Sequence, residues 1–151
     1  MKPIKDIARS ILCFDPGNTT GWVWVTRDEL DAPWDIQDSG DFEHEHPNAI
    51  NIVEELIDED VDHVIYERIR PFRAAIRVEG IEVIGWIQSR CKRRKIEYLA
   101  REPSHLAGPR NWRITLPQEF KRHSARHQRD ALYHLISYLG VDHIADVDWD
   151  D

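Results

Sequence analysis

Twice in this chain a continuous apolar run ends on a carboxylate. Ser10-Ile-Leu-Cys-Phe14 runs into Asp15, and Val64-Ile-Tyr66 runs into Glu67. Unbroken apolarity, as opposed to alternation, predicts a strand buried on both faces. A carboxylate at the end of such a strand is costly unless something charged meets it there. A third acidic landmark comes late, where His127 and Asp130 stand three residues apart, and so on one face, in a stretch from Ser124 to Leu139 that reads as helix.

The segments between these landmarks set the order of elements. Asp15 opens Asp-Pro-Gly-Asn-Thr-Thr-Gly21, whose Pro16-Gly17-Asn18 is turn chemistry, and β-rich sequence resumes to Thr26, so residues 10–26 read as a hairpin. A third strand is predicted over Gln37–Phe42. Pro47 can start a helix over 48–58, with Ile50, Val53, Leu56 and Ile57 forming its apolar stripe. Val61–Glu67 is the next strand. Arg68 to Arg77, interrupted by Pro71, reads as a basic loop. Val78–Arg94 has helical spacing through Ile81, Ile84 (or Val83), Ile87 and Cys91, and its basic end suits the helix dipole.

Ile96–Ala100 is a short strand, and 101–123, with Pro103, Gly108, Pro109 and Pro117, is loop with at most short helices. Ser124 can cap the last helix, which Gly140 stops. Its core stripe is Leu132, Leu135, Ile136 and Leu139, with His127, Asp130 and His134 on an adjoining face. The expected organisation is one domain over 1–140 and an unstructured acidic tail over 141–151. A chain of 151 residues buries about two-thirds of its unfolded surface.

The net charge of −8 conceals a segregated distribution. Residues 28–62 carry fourteen Asp and Glu and no Lys or Arg, whereas 68–129 carry sixteen Lys and Arg against five Glu. A basic half is the footprint expected for a polyanionic ligand, unless the two halves simply pair with each other. The first residues, Met-Lys-Pro-Ile-Lys-Asp, lack the apolar core of a signal peptide, and no apolar run reaches the roughly 18 residues of a membrane span. Cys13 and Cys91, one in a predicted strand and one in a predicted helix, make no disulfide framework. A reducing cytosol is the expected setting.

In-line hydrolysis of a phosphodiester needs a polarised water and a stabilised leaving oxygen. Two divalent ions about 4 Å apart supply both, held by carboxylates on rigid elements. Asp15, Glu67 and Asp130 with His127 meet that requirement. Phe14-Asp-Pro-Gly-Asn-Thr-Thr-Gly21, Ile65-Tyr-Glu67 and His127-Gln-Arg-Asp-Ala-Leu132 also resemble the three active-site segments of the RuvC family of Holliday junction resolvases, and the short length resembles its bacteriophage members.

The resemblance covers about residues 10–139 in order. It implies a ribonuclease H-like fold, α/β, with a mixed five-stranded sheet and helices on both faces. It further implies a homodimer, in a bacterial or phage-infected cytoplasm, that nicks opposing strands of a four-way DNA junction symmetrically with Mg²⁺ or Mn²⁺, two ions per site. By matching position, Asp15, Glu67 and Asp130 correspond to the family's acids. His127 matches a fourth position that is an acid in some members and a histidine in others. Helix 78–94 corresponds to the dimer helix.

DNA contacts are expected from Arg68, Arg70, Phe72, Arg73 and Arg77. Phe72 stands for the family's aromatic in that loop at a different offset, and the stretch between Ala100 and His127 is shorter than in bacterial members.

Three other readings compete with this one. An actin-like or sugar-kinase ATPase begins with a similar phosphate loop, but it needs two such domains, for which the chain lacks the length. A non-cleaving module for branched nucleic acid would be favoured by a missing acid, and all four positions are filled. A nuclease for other branched DNA or RNA–DNA hybrids would use the same residues and stays open. His44-x-His46 and the His123, His127 and His134 set lack the Cys pairs or the His-Glu-x-x-His spacing of zinc sites.

Overall fold

The computed structural model describes residues 4–69 and 78–150. After a short helical turn, α1 (Ile4–Ile7), the chain forms β1 (Ser10–Asp15), β2 (Thr19–Thr26) and β3 (Asp35–Glu43). Helix α2 (Ala49–Leu56) leads to β4 (His63–Glu67), and α3 (Val78–Arg94) leads to β5 (Glu97–Arg101). A short helix α4 (Ala107–Asn111) and a two-residue strand β6 (Ile114–Thr115) precede the last helix, α5 (Arg126–Leu139), and β7 (Asp148–Trp149). Sheet order is β3-β2-β1-β4-β5. The first three strands are antiparallel neighbours, while β1, β4 and β5 run parallel. Among the described residues no helix is long and apolar enough to cross a membrane.

The period-2 pleat of the strands sorts their side chains between two cores. Ile11 and Cys13 of β1, Val23 and Val25 of β2 and Ile65 of β4 pack with Ala131, Leu132, Leu135 and Ile136 of α5. Leu12 and Phe14 of β1 and Val64 and Tyr66 of β4 pack on the opposite face with Val53 and Ile57, and with Val83, Ile87 and Cys91 of α3. Helices therefore cover both faces, which is why residues 11–14 of β1 and 64–66 of β4 are apolar without interruption. Burial of each such side chain contributes about 1.5–3 kcal/mol. The two cysteines are free and belong to opposite cores. Trp22 and Trp24 pack against the α3-side core, as expected of sheet-face residues.

The same parity places the carboxylates. Asp15 follows Ile11 and Cys13 in phase, and Glu67 follows His63 and Ile65, so both belong to the α5 face. Phe14 pairs with Tyr66 in the parallel register, which sets Asp15 and Glu67 side by side one step beyond. Gly21, also in phase with Val23 and Val25, lies where α5 crosses the sheet. A Cβ there would stand 2.1 Å from the carbonyl carbon and oxygen of His127, so the absent side chain lets α5 press against β2. Ser39 Oγ adds a hydrogen bond to Gln128 Oε1 at 2.8 Å.

Two expectations are corrected. The last helix begins at Arg126, because residues 123–125 form a separate 3-10 turn, and Ser124 does not cap it; the capping position is Ala125, without a side-chain hydrogen bond. The stretch after Gly140 is not an unstructured tail. Val141, Ile144 and Val147, spaced by three, are buried in the α5-side core. Backbone hydrogen bonds join Trp34 to His143 and Ala145, and β7 pairs with β6. The acidic residues between those valines and isoleucine face outward and masked the spacing.

Gly21→Ala tests the α5 contact. The substitution must push α5 off the sheet, so we expect a loss of roughly 2 kcal/mol or more, within the range of core overpacking. Gly85→Ala in α3, where a Cβ meets nothing within 4 Å, serves as the control and gains about 0.5–1 kcal/mol of helix propensity. Comparable melting temperatures for the two variants would show that the α5 approach is not constrained at Gly21.

Candidate functional site

Asp15 and Glu67 end adjacent parallel strands, and the crevice beyond such strand ends is where open α/β sheets bind ligands. An open pocket of about 400 Å³ lies there, lined by Asp15, Gly17, Thr19, Glu67, His127 and Asp130, with Arg110 and Arg126 among its basic residues. The structure thus brings together all four residues singled out as acids and fourth ligand.

Asp15 is 9% exposed. Its burial, then the charge and hydrogen bond of Glu67, push its carboxyl well above the ordinary aspartate value. Burial alone would also raise Glu67, but hydrogen bonds from His134 and Asp15 outweigh it and leave Glu67 below its ordinary value. The two carboxyl groups titrate as one coupled pair, and burial with the neighbouring charge sets its two proton losses apart.

His134 completes this arrangement from one turn further along α5. Its ring is fully buried, and Nε2 lies 3.2 Å from Glu67 Oε1. An ionised Glu67 only accepts, so Nε2 carries the hydrogen. Nδ1 is buried with no hydrogen-bond partner among the described residues. Positions 127, 130 and 134 form one helical stripe, a signal present in the sequence, where His134 was placed only as a neighbour of the pair.

Asp130 faces the pocket but is engaged elsewhere: Arg110 Nη2 lies 2.9 Å from its Oδ1. Arg110 was not anticipated. It sits in the Pro- and Gly-rich connection, where no periodicity points to a site, and reaches the acids only through tertiary folding. His127 is half-buried at the rim, its ring Nε2 receiving the Nε–H of Arg126 at 3.3 Å.

Among the expected DNA contacts, Arg68 is exposed beside Glu67 and meets Glu102 at 3.4 Å. Arg70, Phe72, Arg73 and Arg77 lie outside the described residues. His44 stacks on the Trp86 ring, while the His46 ring accepts the Asn48 N–H, so these two serve separate local packing.

The donor set has the chemistry of a hard divalent cation, because carboxylate oxygens with one imidazole suit Mg²⁺ or Mn²⁺. Asp15 and Glu67 already hold two carboxyl groups together at a cost in mutual repulsion that a cation would relieve. Among the described residues, no three His, Cys, Asp or Glu side chains stand converged as a metal site. Asp130 lines the same pocket and is ion-paired with Arg110.

Similarity to solved structures is extensive. Thermus thermophilus RuvC superposes with a TM-score of 0.63 at 14% identity, over 92% of this chain and 98% of that one. T. thermophilus RuvC in complex with a Holliday junction substrate gives 0.62 at 12% identity, over 93% and 98%. The fowlpox virus Holliday junction resolvase gives 0.62 at 12% identity, over 85% and 97%. No protein-family model and no curated protein sequence matches the chain. The architecture is the ribonuclease H-like fold predicted from the sequence.

The Asp15–Glu67 pair makes stability depend on pH. An unfolded aspartate loses its proton near 3.9, but folded Asp15 loses it higher. Between those values the folded state holds a proton that the unfolded state lacks, so this contribution falls as pH rises above about 4. Asp15→Asn keeps a donor for Glu67 and removes the titration. We expect its metal-free form to melt above the parent at pH 7, by roughly 2–4 °C per kcal/mol relieved, and the gap to close toward pH 4. Thermal melts across that range decide it, and a variant that melts below the parent at pH 7 contradicts the strained pair.

Proposed function

We propose that this protein is a divalent-metal-dependent endonuclease that resolves four-way DNA junctions by paired, symmetric nicks. The observation that carries the reading is the juxtaposition of Asp15 and Glu67, on adjacent parallel strand ends, with Asp130 and His127 of α5 in one open pocket. Similarity of fold to resolvases along nearly the whole chain supports it.

In this reading Asp15 and Glu67 hold the metal pair from the sheet, and Asp130 and His127 close the site from the helix. When bound, the ions polarise the attacking water and stabilise the leaving oxygen. His134 orients the Glu67 carboxylate through Nε2, fixing which oxygens face the pocket. Arg126, exposed at the pocket rim, and Arg68, exposed beside Glu67, contact phosphates and set the strand's position; Arg70, Phe72, Arg73 and Arg77, outside the described residues, are the further DNA contacts of this reading.

Symmetric cutting requires two sites. Helix α3 exposes Val78 and Ile81, and the surface at Gly85, one turn on, is open. This stripe is the proposed homodimer seam.

The test is cleavage of a labelled, mobile four-way junction with Mg²⁺ or Mn²⁺. We expect paired nicks yielding ligatable duplexes, with Asp130→Asn reducing cutting to background while junction binding persists. Cutting confined to flaps or RNA–DNA hybrids would keep the metal site and replace the substrate. Binding without cutting would leave a recognition module. Removing Arg70 and Arg73 together should weaken binding and lower the slope of log affinity against log salt by about 2. An unchanged slope refutes their phosphate contacts.

A further inference from the structure

The ion pair between Arg110 and Asp130 has no place in a metal-loaded site. At 2.9 Å from Asp130 Oδ1, the guanidinium competes for this carboxylate with any divalent cation shared with Asp15 and Glu67. It lines the same pocket as all three acids. Pro109, the residue before it, is buried and anchors α4, while the Arg110 side chain is 50% exposed, so the head group can leave without unfolding its support. A flexible, half-exposed cation bridging to one carboxylate of an acidic cluster is a stand-in for a more strongly bound one.

We propose that Arg110 is the resident counter-ion of this site, holding Asp130 out of the metal-binding arrangement until a divalent cation displaces it. The inference rests on the metal-site reading above. Competition of this kind is reciprocal: whatever Arg110 contributes to the metal-free protein is subtracted from metal affinity. It also turns the three-acid cluster from one that any stray cation fills into one that answers only to an ion strong enough to break an ion pair. The displaced guanidinium then stands free at the pocket rim.

The test is Mn²⁺ binding by calorimetry and thermal melting, at fixed pH and salt, without DNA. Four proteins are compared: the parent, Arg110→Gln, Arg110→Lys and Asp15→Asn. Arg110→Gln should bind Mn²⁺ roughly 5-fold tighter or more, within the usual range for coupled sites, and gain more melting temperature from Mn²⁺ than the parent does. Its metal-free form should melt lower. Arg110→Lys keeps a charge without the planar fork and should fall between them.

Parent and Arg110→Gln binding Mn²⁺ equally, or the variant binding it more weakly, overturns the counter-ion role while the metal site stands. Equal Mn²⁺ binding by the parent and Asp15→Asn, or no binding by either, overturns the metal-site reading and this inference with it. Should Arg110→Gln fail to fold, the parent-against-Lys comparison decides the outcome alone, with equal affinities counting against the proposal.

Discussion

Two carboxyl groups held against each other at the end of a buried sheet are the constraint on which the rest of this structure turns. Parity and register leave no freedom in the matter. Once Ile11, Cys13 and Ile65 face α5, Asp15 and Glu67 must face it too, as neighbours on parallel strands. Burial and mutual repulsion oppose both charges. The fold answers with local devices: an Asp15 carboxyl raised above its ordinary range, a hydrogen bond from His134 to Glu67 and a guanidinium on Asp130. Each offsets part of the electrostatic cost of gathering these carboxyl groups.

The position of α5 follows from the same demand. A helix that contributes to a site at strand ends must come close enough for short side chains to reach across. Gly21 supplies that proximity by putting nothing between β2 and the His127 backbone. The hydrophobic stripe of α5 sets its rotation, so His127, Asp130 and His134 emerge along one edge of the helix, one turn after another. Packing thus fixes the depth and angle of the polar residues, and His134, furthest along the stripe, is carried below the surface to Glu67.

How far the sequence could be read depended on whether the information was local. Unbroken apolar runs identified β1 and β4 because a two-sided core leaves no polar position to interrupt them, and an i, i+3 spacing identified His127 and Asp130. Residues recruited by tertiary contact were harder. Arg110 lies in a connection that has neither helical nor strand period, and nothing within about ten residues of it foretells Asp130 as its partner. Ser124 has the right chemistry for a cap, yet the turn at 123–125 displaces it from the helix start. After Gly140, an apolar period of three is diluted by aspartates, and composition outweighed spacing in the reading of a tail that in fact covers one end of the α5 core.

Charge is sorted by depth as well as by sequence. The proposed function would require the pocket to attract a metal ion and a phosphate within a few ångströms, and uniform mixing would let its own acids and bases neutralise each other. Here the acids stand on strand ends and on the inner face of α5, with Asp15 nearly enclosed, while Arg126 is exposed at the opening. The low-dielectric floor strengthens the pull on a cation, and the solvated rim offers arginines that need not be desolvated before a polyanion arrives. Arg110 departs from this sorting, a half-exposed cation paired with Asp130 beside the other two acids. If the floor takes up a cation as proposed, this is the contact through which that occupancy would be felt at the surface.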